Sequence, residues 1–200
     1  MPNDTGAFGL KPIRMLDGSP WNGAVVKCYI SAAYGTALYI GTPVIKSPTL
    51  AEYHASGSYT SVNIVAAVDG GVYWGVIVGF EANPDNLSTT YSPALTEGWA
   101  YVATGNRVVF AGRGDGAGTP TTAFVNNNAA MVATAAGSTA TGLSGWHIGE
   151  STFTTVVTLP LQVIGKQNVE NNELGDNAIW EVVLNTSELL AGDVLGIVPA

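Results

Sequence analysis

Turn-forming residues recur so densely along this chain that no long helix has room to form. The 200 residues include 25 glycines and 10 prolines, spread from end to end. In a helix interior Gly costs about 1 kcal/mol and Pro about 3 kcal/mol relative to Ala. Between these breaks lie short runs rich in Val, Ile, Tyr, Trp and Thr, side chains that suit a pleated, half-buried surface. They predict strands near residues 25–30, 37–45, 61–68, 72–81, 99–103, 107–111, 129–134, 154–164 and 179–184. Asp69-Gly70-Gly71 between two of these runs predicts a hairpin turn, since positive φ is easy there. Single helical turns are expected at residues 186–192 and 126–131 only. Many short strands at fairly even spacing point to an all-β protein, a β-sandwich or jelly-roll-like barrel.

Residues 1–23 carry Phe8, Leu10, Pro12, Ile13, Met15, Leu16 and Trp21 without any period. A segment of this kind cannot bury such side chains by itself and must lie along a surface, its own or a neighbour's. The expected organisation is an extended N-terminal arm, residues 1–23, followed by a single β-rich domain, residues 24–200. Residues 83–93 and 112–122 are turn-rich, and the second of these loops is expected to be mobile or a loop tip.

Charge narrows the function. Only 11% of residues are charged, against about 25% in ordinary globular chains. Interface cores are depleted in charge, so much of the surface is expected to be covered by partners. The net charge is −8, with four Lys and three Arg scattered along the chain. Phosphate backbones demand clustered cations, so neither direct nucleic-acid binding nor attachment to an anionic membrane is expected. The first residues show no basic end followed by an apolar run, which predicts synthesis in the cytosol without a signal peptide.

Catalytic inventory is poor, and the expectation is a protein that is not an enzyme and carries no cofactor or metal. Cys28, the single cysteine, sits in a strand-like run and reads as a small buried hydrophobe. His147 and Glu150 have a spacing that can bind metal, but a third ligand is missing. The acidic stretch at residues 168–177 lacks EF-hand spacing and reads as a solvated turn. Gly112-Arg113-Gly114-Asp115-Gly116 contains Gly-x-Gly-x-Gly, yet the dinucleotide fingerprint needs a different spacing and a following helix. The Arg-Gly-Asp tripeptide within it reads as a coincidence. Among the tryptophans, Trp74, Trp99 and Trp180 fall in strand-like runs and are expected in the core, whereas Trp21 and Trp146 sit among turn residues and are candidate interface anchors.

The chain also resembles a known family. Phe8-Gly9-Leu10-Lys11-Pro12-Ile13-Arg14 and Leu16-Asp17-Gly18-Ser19-Pro20-Trp21-Asn22-Gly23 open the likeness. It continues through Tyr34-Gly35-Thr36-Ala37-Leu38-Tyr39-Ile40-Gly41, Gly75-Val76-Ile77-Val78-Gly79-Phe80-Glu81 and Gly137-Ser138-Thr139-Ala140-Thr141-Gly142-Leu143-Ser144-Gly145. It ends with Asn172-Glu173-Leu174-Gly175-Asp176-Asn177-Ala178-Ile179-Trp180-Glu181-Val182. As a set these motifs are similar to those of a family of tailed-bacteriophage virion proteins, the capsid cement or head decoration proteins. Residues 115–124 depart from the pattern, with a Gly-Thr-Pro loop in place of a charged strand end. The resemblance implies a homotrimer on the capsid surface of the virion, with the major capsid protein as partner. The expected contact residues are Phe8, Leu10, Pro12, Ile13, Trp21 and Trp146. The alternative from another class is a virion fibre or receptor-binding protein that recognises host surface glycans through exposed aromatics and polar loops.

Overall fold

A computed structural model describes residues 3–46, 64–67, 71–84 and 86–185, with the side chains of residues 64 and 65 excepted. The described residues are all-β, with two one-turn 3-10 segments, Thr122–Phe124 and Glu150–Thr152, and no α-helix. The expected turn at residues 186–192 lies outside them. At residues 126–131 the expected helical turn gives way to strand: Asn128–Ala129 and Met131–Ala133 are both extended. The Asn126 backbone, at φ +69°, breaks any helical path there.

Two five-stranded antiparallel sheets form the body. The first has β1 (Leu10–Met15), β7 (Val108–Arg113), β12 (Ile179–Leu184), β11 (Leu161–Lys166) and β8 (Asn128–Ala129), in that spatial order. The second has β2 (Val26–Ile30), β6 (Gly98–Thr104), β5 (Gly75–Phe80), β3 (Pro43–Lys46) and β4 (Ile64–Ala66). A hairpin of β9 (Met131–Ala133) and β10 (Trp146–Ile148) adds to the core. The chain changes sheets between β6 and β7, across residues 105–107.

Period-two burial explains the register. On β12, Trp180, Val182 and Leu184 point into the core beside Leu161 and Val163 of β11, while Glu181 faces out and pairs with Arg14 at 2.6 Å. Alternation of this kind specifies register, because a slip of one residue would expose the whole apolar set. From the second sheet Val76 and Ala103 meet the same core. The hairpin joins it through Met131, Trp146 and Ile148, with the Met131 N–H donating to the Tyr73 hydroxyl at 3.3 Å.

The second sheet buries its other face as well. Cys28, Ile30, Val44, Ile77, Ala100 and Val102 form a separate core capped by Leu38. The sheet curls into a half-barrel around them, so that its outermost strands, β2 and β4, approach each other. The Tyr34 hydroxyl, four residues beyond β2, accepts the N–H of Ala66 on β4 at 3.0 Å. The loop at residues 83–93 is tied to this end by paired bonds between Leu38 and Ser92, each 2.9 Å. Asp69 and Gly70 lie outside the described residues. The strands that flank them, β4 and β5, both pair with β3 and not with each other, so no hairpin joins them.

Residues 10–15, inside the segment read as an arm, form an edge strand of the first sheet, paired antiparallel with β7. Leu10 is only 1% exposed and belongs to the central core. The reason is a close approach between distant segments. Gly9 (φ +69°) and Gly41 (φ +89°) approach so closely that a Cβ on either would overlap the other segment's backbone. Only glycine allows both that approach and that backbone. Leu10 N–H then donates to Gly41 C=O at 2.9 Å and Gly9 N–H to Trp146 C=O at 3.2 Å.

Candidate interaction surface

A groove of about 610 Å³ runs along the seam between β1 and β5. Five of the six expected contact residues line it: Phe8, Leu10, Pro12, Ile13 and Trp21. Ile40, Ile77, Val78, Leu143, Ile179 and Gln167 line it as well. Phe8, Pro12, Ile13 and Trp21 are half-buried, so each keeps apolar surface available at the groove. Trp146 is not among the lining residues; it is 9% exposed and packs in the central core.

Electrostatics set this groove apart from the rest of the chain. Its lining holds one cation, Lys11, and no carboxylate, in a protein of net charge −8. A partner entering it would desolvate little charge, which removes the largest penalty of interface burial. The Trp21 indole N–H is buried without a hydrogen-bond partner. A buried unpaired donor costs about 1–3 kcal/mol.

The edge strand itself is poorly suited to pairing with another strand. Pro12 supplies no N–H, Lys11 places a charge on the edge, and the β1–β7 register shifts between Pro12 and Arg14. Proline, lysine and bulges are the usual devices against edge-to-edge pairing. Residues 19–20 fold back beside the end of the strand, with Met15 N–H donating to Ser19 C=O at 2.8 Å and a bridge between Arg14 and Pro20. The groove therefore offers side-chain surface and not a free ladder.

The remaining candidates from the sequence have internal partners. The Gly-x-Gly-x-Gly stretch is not a free loop tip. Gly112 and Arg113 belong to β7, and Gly114 and Asp115 donate to Ala178 C=O and Ile148 C=O at 2.9 and 3.0 Å. Arg113 is 8% exposed and bonds the Asp4 carbonyl, with the Asp4 carboxylate 3.3 Å away. The Asp115 carboxylate accepts the N–H groups of Ala117 and Glu150, both at 3.0 Å. The two charged side chains of the Arg-Gly-Asp tripeptide thus face inward, to this chain's own groups.

This stretch wraps a carboxylate that the sequence suggested only as half of a metal pair. Glu150 is 1% exposed. Its carboxylate accepts hydrogen bonds from Gly116 N–H at 2.9 Å, Asn177 N–H at 3.4 Å and the Trp180 indole N–H at 3.4 Å. A Cβ at Gly114 or Gly118 would overlap Glu150. Burial pushes the Glu150 carboxyl above its ordinary range; the three donors oppose the shift and Asp115 adds to it. His147 turns elsewhere, its Nδ1 lying 2.6 Å from the Thr134 hydroxyl. Among the described residues no group of three or more His, Cys, Asp or Glu is placed to hold a metal ion. The legible signal for Glu150 was the run of closely spaced glycines, of which Gly114 and Gly118 leave the room that its side chain fills.

Cys28 lies in the half-barrel core at 0% exposure, and burial pushes its thiol up to about 12. Trp74 and Trp180 are buried as expected, while Trp99 is half-buried on the outside of the half-barrel. No family model, curated protein or solved structure matches this chain.

Proposed function

We propose that this chain is a phage capsid cement protein that binds the outside of the assembled major capsid protein shell and stabilises it. The observation that carries the reading is the largely apolar groove between β1 and β5, free of carboxylates, which gathers Phe8, Pro12, Ile13 and Trp21. Those residues lie in the first two of the motifs through which the sequence resembles decoration proteins. The rigid two-sheet body and the low charged fraction of 11% suit a subunit covered by neighbours. The occupant is an apolar segment of a shell subunit, inserted as side chains because the β1 edge is blunted. The working form is a homotrimer on the virion surface, made in the host cytoplasm, with no enzymatic step. Binding only to the assembled shell stabilises that state by mass action.

Co-sedimentation of the purified protein with assembled phage heads, and separately with host cell envelopes, tests the reading. Saturable binding to heads, at a number scaling with shell subunits and lost in Ile13→Asp, is the expected result. Binding to envelopes alone would overturn it.

A further inference from the structure

A second cleft, of about 420 Å³, opens where the β5–β6 connection folds back over the outside of the half-barrel. Aromatic rings and oxygen acceptors converge there. Tyr29, Phe80, Tyr91 and Trp99 line it together with Glu81, Glu97, Asn83 and two threonines, Thr89 and Thr96. No lysine or arginine is among the lining residues.

The rings are held in place before any ligand arrives. Tyr91 stacks on Tyr39 at 5.2 Å and 13°, which fixes the plane of Tyr91. Trp99 meets the edge of Tyr29 at 5.4 Å, and the Lys27 ammonium sits 4.7 Å from the Trp99 centroid. The acceptors are fixed too: the Tyr29 hydroxyl donates to Glu97 Oε2 at 2.9 Å, and Lys27 bonds Glu81 Oε1 at 2.8 Å. Each carboxylate has a second oxygen and further lone pairs with which to accept. Preorganised groups of this kind lose little freedom on binding.

We infer that this cleft is a binding site for a neutral saccharide of about one or two rings, a volume at the lower end of small-molecule sites. Sugar C–H faces pack on aromatic faces, and sugar hydroxyls donate to carboxylate and amide oxygens. Lys27 neutralises Glu81, but Glu97 has no such partner among the lining residues, and an anionic sugar would meet it on a protein already at −8; like charges in a cleft repel. The inference goes beyond shell binding and does not rest on it, since the cleft shares no lining residue with the β1–β5 groove.

The test is isothermal titration of the full chain with maltose, cellobiose, lactose and N,N′-diacetylchitobiose, with sialyllactose and choline as charged comparisons. Saturable binding of at least one neutral disaccharide is expected. Glu97→Gln, which keeps the shape of the side chain, should weaken it about tenfold, as the loss of a hydrogen bond to a charged group does. Tyr91→Ala should weaken it at least as much, with near-UV circular dichroism confirming the fold. Binding of no neutral sugar, preference for sialyllactose or choline, or affinity unchanged in Glu97→Gln would each overturn the inference.

Discussion

The carboxylate of Glu150 accepts a 2.9 Å hydrogen bond from the backbone N–H of Gly116, a residue 34 positions earlier in the chain. Trp180 donates to the other oxygen of the same carboxylate. One buried side chain thus links the end of β7, the 3-10 turn after β10 and the first half of β12. Removing it by Glu150→Ala strands the Gly116 and Trp180 donors in the interior. The expected cost is roughly 2–3 kcal/mol, from unsatisfied buried groups and a cavity. Urea denaturation measures it, and a change below 0.5 kcal/mol, on the order of a surface substitution, would show the clamp to be dispensable.

The same residue predicts a pH dependence. Burial raises the Glu150 carboxyl in the folded state, so the folded protein binds its proton more tightly than the unfolded chain does. The stability from this group is full below the unfolded carboxyl value of about 4.3. It is lost as pH rises through the higher folded value. Glu150→Gln cannot titrate, so the stability of the wild type relative to this variant should be greater at acid pH than at neutral pH. A gap that widens toward neutral pH would contradict the assignment.

Leu10, at the floor of the groove, should prove structural. Its burial in the central core predicts a loss of about 2–5 kcal/mol for Leu10→Ala. Deletion of residues 1–16 removes β1 entirely and bares the β7 edge. The truncated chain is expected to lose cooperative thermal unfolding by circular dichroism. A cooperative transition at the wild-type temperature would mean that the segment is a separable arm.

Gly41→Ala should destabilise the chain by at least about 1–3 kcal/mol, the usual cost of overpacking. The new methyl group would collide with the Phe8 carbonyl, and the backbone there has φ +89°. Thermal melts of this variant beside Gly35→Ala, a site with open space, separate the collision from a generic loss of glycine.

Cys28 should not react in the folded protein. Its thiol is fully buried and pushed up to about 12, so almost no thiolate exists at pH 8. Ellman's reagent should label one thiol per chain in urea and none in buffer over the same interval. Full labelling in buffer would mean that the half-barrel core opens.

The groove between β1 and β5 was partly legible beforehand, because Phe8, Pro12, Ile13 and Trp21 are bulky apolar residues in a segment too short and aperiodic to bury them alone. Trp146 sits among turn residues in sequence, and the β9–β10 hairpin places it in the core. The cleft beside Tyr29 and Trp99 was not legible, since these two residues come from strands that pair across 70 positions.

By itself the sequence determined the class. Dense Gly and Pro exclude long helices, and β-branched and aromatic runs at period two specify strands with one committed face, as on β12. These are local effects, carried by a residue and its near neighbours. Only the tertiary structure decided which strands pair, because an antiparallel ladder takes any backbone of suitable length. Lys11 to Ile13 join the first sheet as an edge strand because Gly9 fits against Gly41, 32 positions away, and Leu10 finds the core behind them. Glu150 likewise reads as an ordinary acid until the glycines at 114, 116 and 118 close around it. Contacts of that kind depend on shape at a distance, which no local pattern encodes.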